Sequence, residues 1–239
     1  MTGPGDITLA AYQEAAGEYL RNSARPAPEQ IAYLDRFAGL VGSGLVLEIG
    51  SGPGWDADHL ESCGLRVVRT DAVPAFVERL RAAGHDARLL DVRTGELGGP
   101  YQAVLANAVL PHLDRDQFKD ALQRARCAVV AGGALGFTVK EGDGAGWSDH
   151  KLGLPRHFTY WREPALRAVL HRTGWRVDYL DHVAVRDNCW LRVLARRDGD
   201  AGGEPDLRVL AGQPLGAPYP RSMPRAQDHA TCARQAERR

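Results

Sequence analysis

The segment Leu45–Asp56 constrains the fold more than any other part of the chain. An apolar stretch, Leu45–Ile49, runs directly into a turn with glycine at positions 50, 52 and 54. Glycine has no β-carbon, so such a turn can bring its backbone close to a ligand, while the amides at the start of the next helix point toward that ligand. The segment therefore predicts a buried strand, a ligand-binding turn and a helix in direct succession.

The ligand expected at this turn is not a phosphate group. A dinucleotide-binding pattern, Gly-x-Gly-x-x-Gly, would need glycine at position 55, where the chain has Trp55. Pro53 also removes an amide hydrogen that a bound pyrophosphate would use. A P-loop would need Gly-Lys followed by Ser or Thr at the start of the helix, and the sequence lacks these residues there.

Apolar stretches alternate with helical patterns as far as Arg197. This alternation predicts an α/β fold with a doubly wound, mostly parallel sheet and helices on both faces. The predicted strands are Leu45–Ile49, Arg66–Thr70, Ala87–Leu90, Ala103–Ala106 and Ala134–Val139. The predicted helices between them are Asp56–Ser62, Pro74–Ala83 and Asp114–Ala128. Asp114 and Gln117 form a capping-box pattern at the start of the last of these helices.

A final helix and two strands complete the predicted sheet. The helix Glu163–His171 is followed by two further stretches, Arg176–Asp181 and Cys189–Ala195. Because only a short polar turn separates these two strands, we expect an antiparallel pair at the edge of the sheet. The number of predicted strands is then seven.

Three regions are predicted along the chain. Residues 1–44 form a helical cap, or lid, with helices Leu9–Arg21 and Pro28–Leu40. Residues 45–197 form the α/β domain. Residues 198–239 are rich in Gly, Pro, Ala and Arg and contain a single aromatic residue, so we expect a disordered tail.

The composition excludes several classes of function. The 30 Lys and Arg residues balance the 30 Asp and Glu residues, so nucleic acid is not an expected partner. The four cysteines are too far apart in sequence for a zinc site, and we expect no metal and buried free thiols. No apolar stretch is long enough to cross a membrane and no signal peptide is found, so a cytoplasmic location is predicted.

The glycine turn and the acid before it resemble the first motif of the class I S-adenosylmethionine-dependent methyltransferases, acidic-x-Gly-x-Gly-x-Gly. The motif reads here Glu48-Ile49-Gly50-Ser51-Gly52-Pro53-Gly54. The resemblance continues in register through the next strands and implies a Rossmann-like fold. In this family an acid at the end of the second strand, here Asp71, accepts hydrogen bonds from both ribose hydroxyls. A carboxylate at the end of the third strand, here Asp91, binds the adenine amino group.

The resemblance implies that S-adenosyl-L-methionine is the cofactor and S-adenosyl-L-homocysteine the product. In similar proteins a Tyr of the N-terminal helix touches the cofactor, and Tyr12 and Tyr19, seven residues apart, are expected on one face of that helix. The residues expected to bind the cofactor are Tyr12, Tyr19, Glu48, Gly50, Ser51, Gly52, Gly54, Asp71, Ala72, Asp91, Val92, Asn107, Ala108 and His112.

The acceptor pocket is expected at the carboxyl ends of the strands, where open α/β sheets bind ligands. It would be formed by the N-terminal helix and the glycine-rich insertion 140–161, whose aromatic residues can stack on a ring while a His supplies a base. The predicted catalytic residues are His112, His157 and Tyr19. The predicted substrate-binding residues are Trp147, His150, His157, Tyr160 and Trp161. Packing within the fold is an equal alternative for Tyr12, Tyr19, His112, Tyr160 and Trp161.

The reaction implied by the resemblance is methyl transfer from a sulfonium to a nitrogen, oxygen or aromatic carbon of a small molecule. A secondary metabolite or a cyclic peptide would be a suitable acceptor. One alternative is a methyltransferase that acts on RNA or protein, and the neutral charge weighs against it. The other is a non-catalytic cofactor-binding protein, and the intact Glu48, Asp71 and Asp91 weigh against that. We expect a monomer or a homodimer with no membrane partner.

Overall fold

A seven-stranded sheet forms the centre of the computed structural model, which describes residues 3–185 and 188–199. Its strands are β1 (Leu45–Ile49), β2 (Arg66–Asp71), β3 (Ala87–Leu89), β4 (Tyr101–Ala106), β5 (Val129–Lys140), β8 (Trp175–Val185) and β9 (Asn188–Arg197). They lie in the order β3-β2-β1-β4-β5-β9-β8. The first five are parallel, and β9 runs antiparallel to both β5 and β8. The predicted mostly parallel sheet with an antiparallel edge hairpin is confirmed.

Seven α-helices surround this sheet among the residues that the structure describes. They are α1 (Pro4–Glu14), α2 (Ala16–Asn22), α3 (Pro28–Val41), α4 (Trp55–Ser62), α5 (Pro74–Ala82), α6 (Arg115–Ala128) and α7 (Glu163–Arg172). The capping box of α6 is confirmed, because the Gln117 amide donates to Asp114 Oδ1 at 2.8 Å and the Asp114 amide donates to Gln117 Oε1 at 3.1 Å. Two hydrogen bonds at this N-terminus satisfy amides that the helix itself leaves unpaired.

The two faces of the sheet are covered by different helices, and the alternation of β1 decides where Glu48 points. Phe37 of α3 packs with Val46 of β1 on one face, and Phe118 of α6 packs with Leu47 on the other. Successive strand residues face opposite sides, so Glu48 lies on the same face as Val46, toward α3 and α4. A carboxyl group is thereby placed beneath helices at the carboxyl end of the sheet.

Two parts of the chain differ from the sequence-based prediction. The single helix predicted over Leu9–Arg21 is two helices, α1 and α2, with a break at Ala15. The insertion 140–161 contains a two-stranded hairpin, β6 (Ala145–Ser148) and β7 (Arg156–Thr159), where only a glycine-rich loop was expected. With only four residues, β6 is too short for an alternation of apolar and polar residues to predict a strand. Its backbone groups are hydrogen-bonded because it pairs with β7.

The prediction of buried free thiols is wrong for the cysteines that the structure describes. Cys63 and Cys127 are free but exposed, and Cys189 is disulfide-bonded. The spacing of cysteines in a sequence does not decide their burial or their pairing.

Two further expectations concern membrane-spanning helices and the tail of the chain. Among the described helices, none has a sufficiently long apolar stretch to span a membrane. Except for Asp198 and Gly199, the tail predicted to be disordered, 198–239, lies outside the described residues.

Candidate active site

The glycine turn lies where the carboxyl ends of β1, β2 and β4 meet, and its glycines are required there for two reasons. Gly50 and Gly54 have φ of +73° and +90°, a left-handed conformation that disfavours residues with a side chain. A β-carbon on Gly50 would collide with the Val109 side chain, and one on Gly54 would lie 2.7 Å from Leu80 Cδ2. The turn is therefore packed closely against its neighbours as well as bent sharply.

Glu48 supplies a buried carboxyl group beside this turn. The residue is 3% exposed, and its Oε2 has no hydrogen-bond partner. Burial, together with the nearby Asp56 carboxyl, raises the pKa of Glu48 to about 8. A buried acid with an unsatisfied oxygen is costly unless a donor or a cation binds to it, so this position fits the positively charged part of a ligand.

Asp71 is held in place by backbone amides at the end of β2. The Gly52 amide donates to Oδ2 and the Val73 amide donates to Oδ1, each at 2.9 Å. Burial raises the pKa of Asp71 to about 6, although these amide hydrogen bonds oppose the increase. Two of the roughly four acceptor positions of an ionised carboxylate are then used, and each oxygen can still accept one hydroxyl of a vicinal diol.

The Asp91 carboxylate, expected to bind an adenine amino group, is engaged by an arginine. Arg93 Nη2 lies 2.7 Å from Asp91 Oδ2, and the same guanidinium pairs with Asp6 of α1 at 2.9 Å. Burial alone would raise the pKa of Asp91, but the hydrogen bonds from Arg93 outweigh it and lower the pKa. An amino group at this position would share Asp91 with Arg93. Val92 beside it is buried.

Asn107 and Ala108, at the end of β4, belong to a hydrogen-bonded network that joins β4 to α4 and β5. Asn107 Nδ2 donates to Asp56 Oδ2 at 2.7 Å, and Thr138 Oγ1 donates to Asn107 Oδ1 at 3.0 Å. The Ala108 amide donates to Thr138 Oγ1 at 2.8 Å, with Ala108 at φ +57°. Burial raises the pKa of Asp56 despite hydrogen bonds from Asn107 and Gln30. Sequence reasoning missed Asp56 and Thr138, although Asp56 is the second residue of the helix that follows the glycine turn.

His112 is a half-buried residue whose two ring nitrogens are both engaged. Its Nδ1 lies 2.7 Å from the His157 carbonyl oxygen, which can only accept, so Nδ1 carries the proton. Nε2 then accepts from the Tyr12 hydroxyl at 3.1 Å, and Arg156 Nη1 donates to the Tyr12 oxygen at 3.1 Å. Burial, with the charges of Arg156 and Lys140, lowers the pKa of His112 to about 4. A role for His112 as base would require the Tyr12 hydroxyl to turn away.

Tyr12 and Tyr19 come together although they lie on separate helices. Their ring centroids are 5.6 Å apart at an interplanar angle of 80°. A β-carbon on Gly52 would lie 4.0 Å from Tyr19 Cε1, so the Tyr19 ring stands directly over the glycine turn. Burial, then the neighbouring Tyr12, raises the pKa of Tyr19 to about 12. The two rings are close together, as expected. They are not on one face of a single helix, however, because the chain breaks at Ala15 between α1 and α2.

The β6–β7 hairpin and α1 close over the same edge of the sheet. The His157 amide donates to Thr8 Oγ1 at 2.9 Å, and Lys151 Nζ lies 4.0 Å from the Tyr19 ring centroid. His157 and Trp147 are paired across the hairpin with ring centroids 5.2 Å apart. Side chains of both elements therefore form the roof of the site.

The five residues expected to bind the substrate are not brought together in one place. Trp161 is 3% exposed, and its ring packs 4.5 Å from Phe118 in the core. Trp147 is 49% exposed and His150 is also exposed, while Tyr160 is half-buried. Of the five, His157 contacts α1 through its amide, and its ring packs against that of Trp147. The side chain of an aromatic residue in an insertion can point into the core or into a binding site. The amino-acid sequence alone does not distinguish these two directions.

Sequence reasoning also missed two basic residues next to His112. Lys140 and Arg156 are 9% and 6% exposed. Burial, and after it the charge of Arg156, lowers the pKa of Lys140 to about 8. The only sequence signal was their position, at the end of β5 and in the insertion that follows it.

The family assignment follows from comparison with known sequences. A family model described as a methyltransferase domain matches residues 17–180. The chain belongs to this methyltransferase family. It is an S-adenosylmethionine-dependent enzyme of class I, and S-adenosylmethionine is its cofactor. Glu48 and Asp71 fit that cofactor, because the unsatisfied Glu48 oxygen suits a cation and the amide-held Asp71 suits a diol. No curated protein sequence matches the chain at a significant level.

Solved structures share the fold of this methyltransferase. One is the 1,6-didemethyltoxoflavin-N1-methyltransferase of Burkholderia thailandensis with S-adenosylhomocysteine bound, which is 18% identical over 83% of this chain and 92% of its own, with a TM-score of 0.61. The CcbJ methyltransferase of Streptomyces caelestis is 18% identical over 81% of this chain and 100% of its own, with a TM-score of 0.65. The DhpI–SAM–HEP complex is 26% identical over 80% and 96%, with a TM-score of 0.64.

Proposed function

We propose that this methyltransferase transfers a methyl group to a nitrogen, oxygen or aromatic carbon of a small molecule. The observation that carries the proposal is the roof over the glycine turn, formed by Tyr12 and Tyr19 together with the hairpin that contacts α1 through His157 and Thr8. A site closed by side chains from two sides suits an acceptor that enters as a free molecule. The similarity to the 1,6-didemethyltoxoflavin-N1-methyltransferase supports a small-molecule acceptor such as a secondary metabolite.

Two carboxylates would hold the cofactor. Asp71 would accept the ribose hydroxyls on the lone pairs that its amide partners leave free. Glu48 would face the positive charge, which lowers the cost of its buried, ionised form. When bound, the cofactor supplies a methyl group on a sulfonium, which already is a good leaving group. The chain's task is then to align the acceptor and exclude water.

Proton removal from the acceptor, where it is needed, falls to His157 in this proposal. No hydrogen bond to its ring is found in the described part of the chain, whereas both nitrogens of His112 are engaged. The Tyr19 hydroxyl, with its pKa near 12, is protonated at neutral pH and would act in packing over the cofactor. His112 would act by fixing Tyr12 and the backbone of His157.

Isotope transfer tests this proposal. The protein is incubated with methyl-deuterated S-adenosylmethionine and fractionated cell extracts, and products are analysed by mass spectrometry. We expect the label in a small molecule, and much less of it with Asp71→Ala. Label found only in RNA or protein would contradict the proposal and support a methyltransferase that acts on macromolecules. Cofactor binding without any labelled product would favour a non-catalytic protein. Cytoplasmic location and a monomeric or dimeric state stay predictions, which cell fractionation and light scattering would test.

A further inference from the structure

Two positively charged side chains are buried side by side on the acceptor side of the site. Lys140 ends β5 and Arg156 begins β7, and both are more than nine-tenths buried. Neither has a carboxylate within ion-pair distance in residues 3–185 and 188–199. Arg156 Nε has no hydrogen-bond partner, and Arg156 Nη1 donates to the uncharged Tyr12 hydroxyl. Buried cations of this kind are rare without an anion.

The two charges share one aromatic ring. Lys140 Nζ lies 3.9 Å from the Phe158 ring centroid and Arg156 Cζ lies 5.2 Å from it. Trp190, paired with Lys140 across β5 and β9, places its ring 5.8 Å from Nζ. Contact with aromatic faces offsets part of the cost of burying each cation, but it does not remove their mutual repulsion. A bound anion would offset both the cost of burying the two cations and their mutual repulsion.

The position of this pair relates it to the cofactor side. Lys140 follows Thr138 by two residues in β5, so both face the same side of the sheet, and Thr138 binds Asn107 and Ala108. Arg156 is joined through Tyr12 to His112. The two cations are therefore linked by side-chain contacts to the residues at the end of β4.

Charge is segregated across the site. The buried carboxyl groups of Glu48 and Asp71 lie at the ends of β1 and β2, and the half-buried Asp56 lies at the start of α4. The buried cations lie at β5 and β7. A cationic cofactor and an anionic acceptor would each meet the opposite charge, and each would be repelled from the other's half. The segregation thus orients the two reactants as well as attracting them.

We propose that Lys140 and Arg156 form an anion subsite, and that the methyl acceptor carries a carboxylate or a phosphate-type group that binds between them. The proposal rests on the proposed function, since it concerns the acceptor of that reaction. Arg156 offers a planar set of donors to two oxygens of such a group, and Lys140 offers a point charge.

Probe binding by titration calorimetry tests the subsite. The probes are benzoate, phenylphosphonate and the neutral benzamide, each titrated into the full chain with and without S-adenosylhomocysteine. We expect at least one anion to bind tenfold or more tightly than benzamide. Lys140→Gln and Arg156→Gln should lose that preference, whereas Arg156→Lys should keep part of it. Lys119→Gln, which removes an exposed cation on α6, serves as the matched control and should keep all of it.

Three results would overturn the subsite. These are equal binding of benzamide and the anions, unchanged anion affinity in both glutamine variants, and no measurable binding of either anion at millimolar concentration. Comparison of benzoate with phenylphosphonate distinguishes the two kinds of anion. S-Adenosylhomocysteine affinity is measured separately in every variant as a test of folding. If the wild-type chain did not bind S-adenosylhomocysteine, the proposed function would be contradicted. The preference for anions over benzamide, measured without S-adenosylhomocysteine, would still show whether the subsite exists.

Discussion

The Gly52 amide donates a 2.9 Å hydrogen bond to Asp71 Oδ2, which joins the glycine turn after β1 to the acid at the end of β2. The same carboxylate accepts from Val73 at the start of α5, so one side chain fixes the ends of two successive βα units. Asp71 thus holds the backbone of the turn as well as offering oxygens to a ligand. These two roles predict different consequences when the residue is changed.

Asp71→Ala should weaken binding of S-adenosylmethionine by roughly 1 to 3 kcal/mol, because the ribose hydroxyls and the Gly52 amide both lose an acceptor. Titration calorimetry gives the affinity, and thermal unfolding reports any loss of fold. Asp120→Ala, at an exposed position of α6, is the control and should leave affinity unchanged. Wild-type affinity in the Asp71 variant would disprove the assignment of this residue to the ribose.

Glu48→Gln should change how stability depends on pH. In the wild type, the pKa of Glu48 is about 8 in the folded chain and 4.5 in the ordinary exposed group. Below pH 4.5 both states are protonated. Between these values the unfolded chain releases a proton that the folded chain keeps, so this contribution to stability falls as pH rises and is lost above pH 8. The slope is at most ~1.4 kcal/mol per pH unit.

Denaturant unfolding of wild type and Glu48→Gln across this pH range measures the effect. The stability of the variant relative to wild type should increase between pH 4.5 and 8 and then level off. A difference that does not vary with pH would show that Glu48 is ionised in the folded chain. The same variant should bind the cationic cofactor more weakly, since it lacks the charge.

Much of the cofactor side could be predicted from sequence, because it depends on topology. Apolar stretches locate the parallel strands, and the carboxyl ends of such strands meet at one edge, so Glu48 and Asp71 had to lie near the glycine turn. Which residues lie on the acceptor side depends on the direction in which each side chain points, and the sequence contains no comparable signal for that direction. Trp161 packs in the core, whereas Lys140 and Arg156 are buried cations at positions where an exposed residue would be ordinary.

The Tyr12 hydroxyl should couple α1 energetically to the hairpin. A double-mutant cycle with Tyr12→Phe and Arg156→Gln is expected to give a coupling free energy of about 0.5 to 3 kcal/mol, because the two groups are hydrogen-bonded and Arg156 is buried. Chemical denaturation provides the four stabilities. The exposed pair Arg162 and Asp143, treated identically, should give less than about 1 kcal/mol. Additive effects in the first cycle would mean that the roof is not held by this contact.

The close packing of the glycine turn predicts a difference between two glycines of almost equal φ. Gly50 has φ of +73° and Gly132 has φ of +71°, but a β-carbon meets the Val109 side chain at Gly50 and open space at Gly132. Gly132→Ala should therefore cost only the conformational strain, about 1 to 2 kcal/mol of stability. Gly50→Ala adds a steric collision that must displace Val109 or the turn, so it should destabilise the chain further and abolish most cofactor binding.

Unfolding free energies and S-adenosylhomocysteine affinities of the two alanine variants separate these contributions. Backbone strain alone would lower the stability of both variants by a similar amount. Only the collision with Val109 in Gly50→Ala would also disturb the glycine turn. Normal cofactor affinity in Gly50→Ala, at a stability equal to that of Gly132→Ala, would mean that Val109 moves freely and that the turn tolerates a side chain. The glycine would then be needed for its backbone angle and not for close approach.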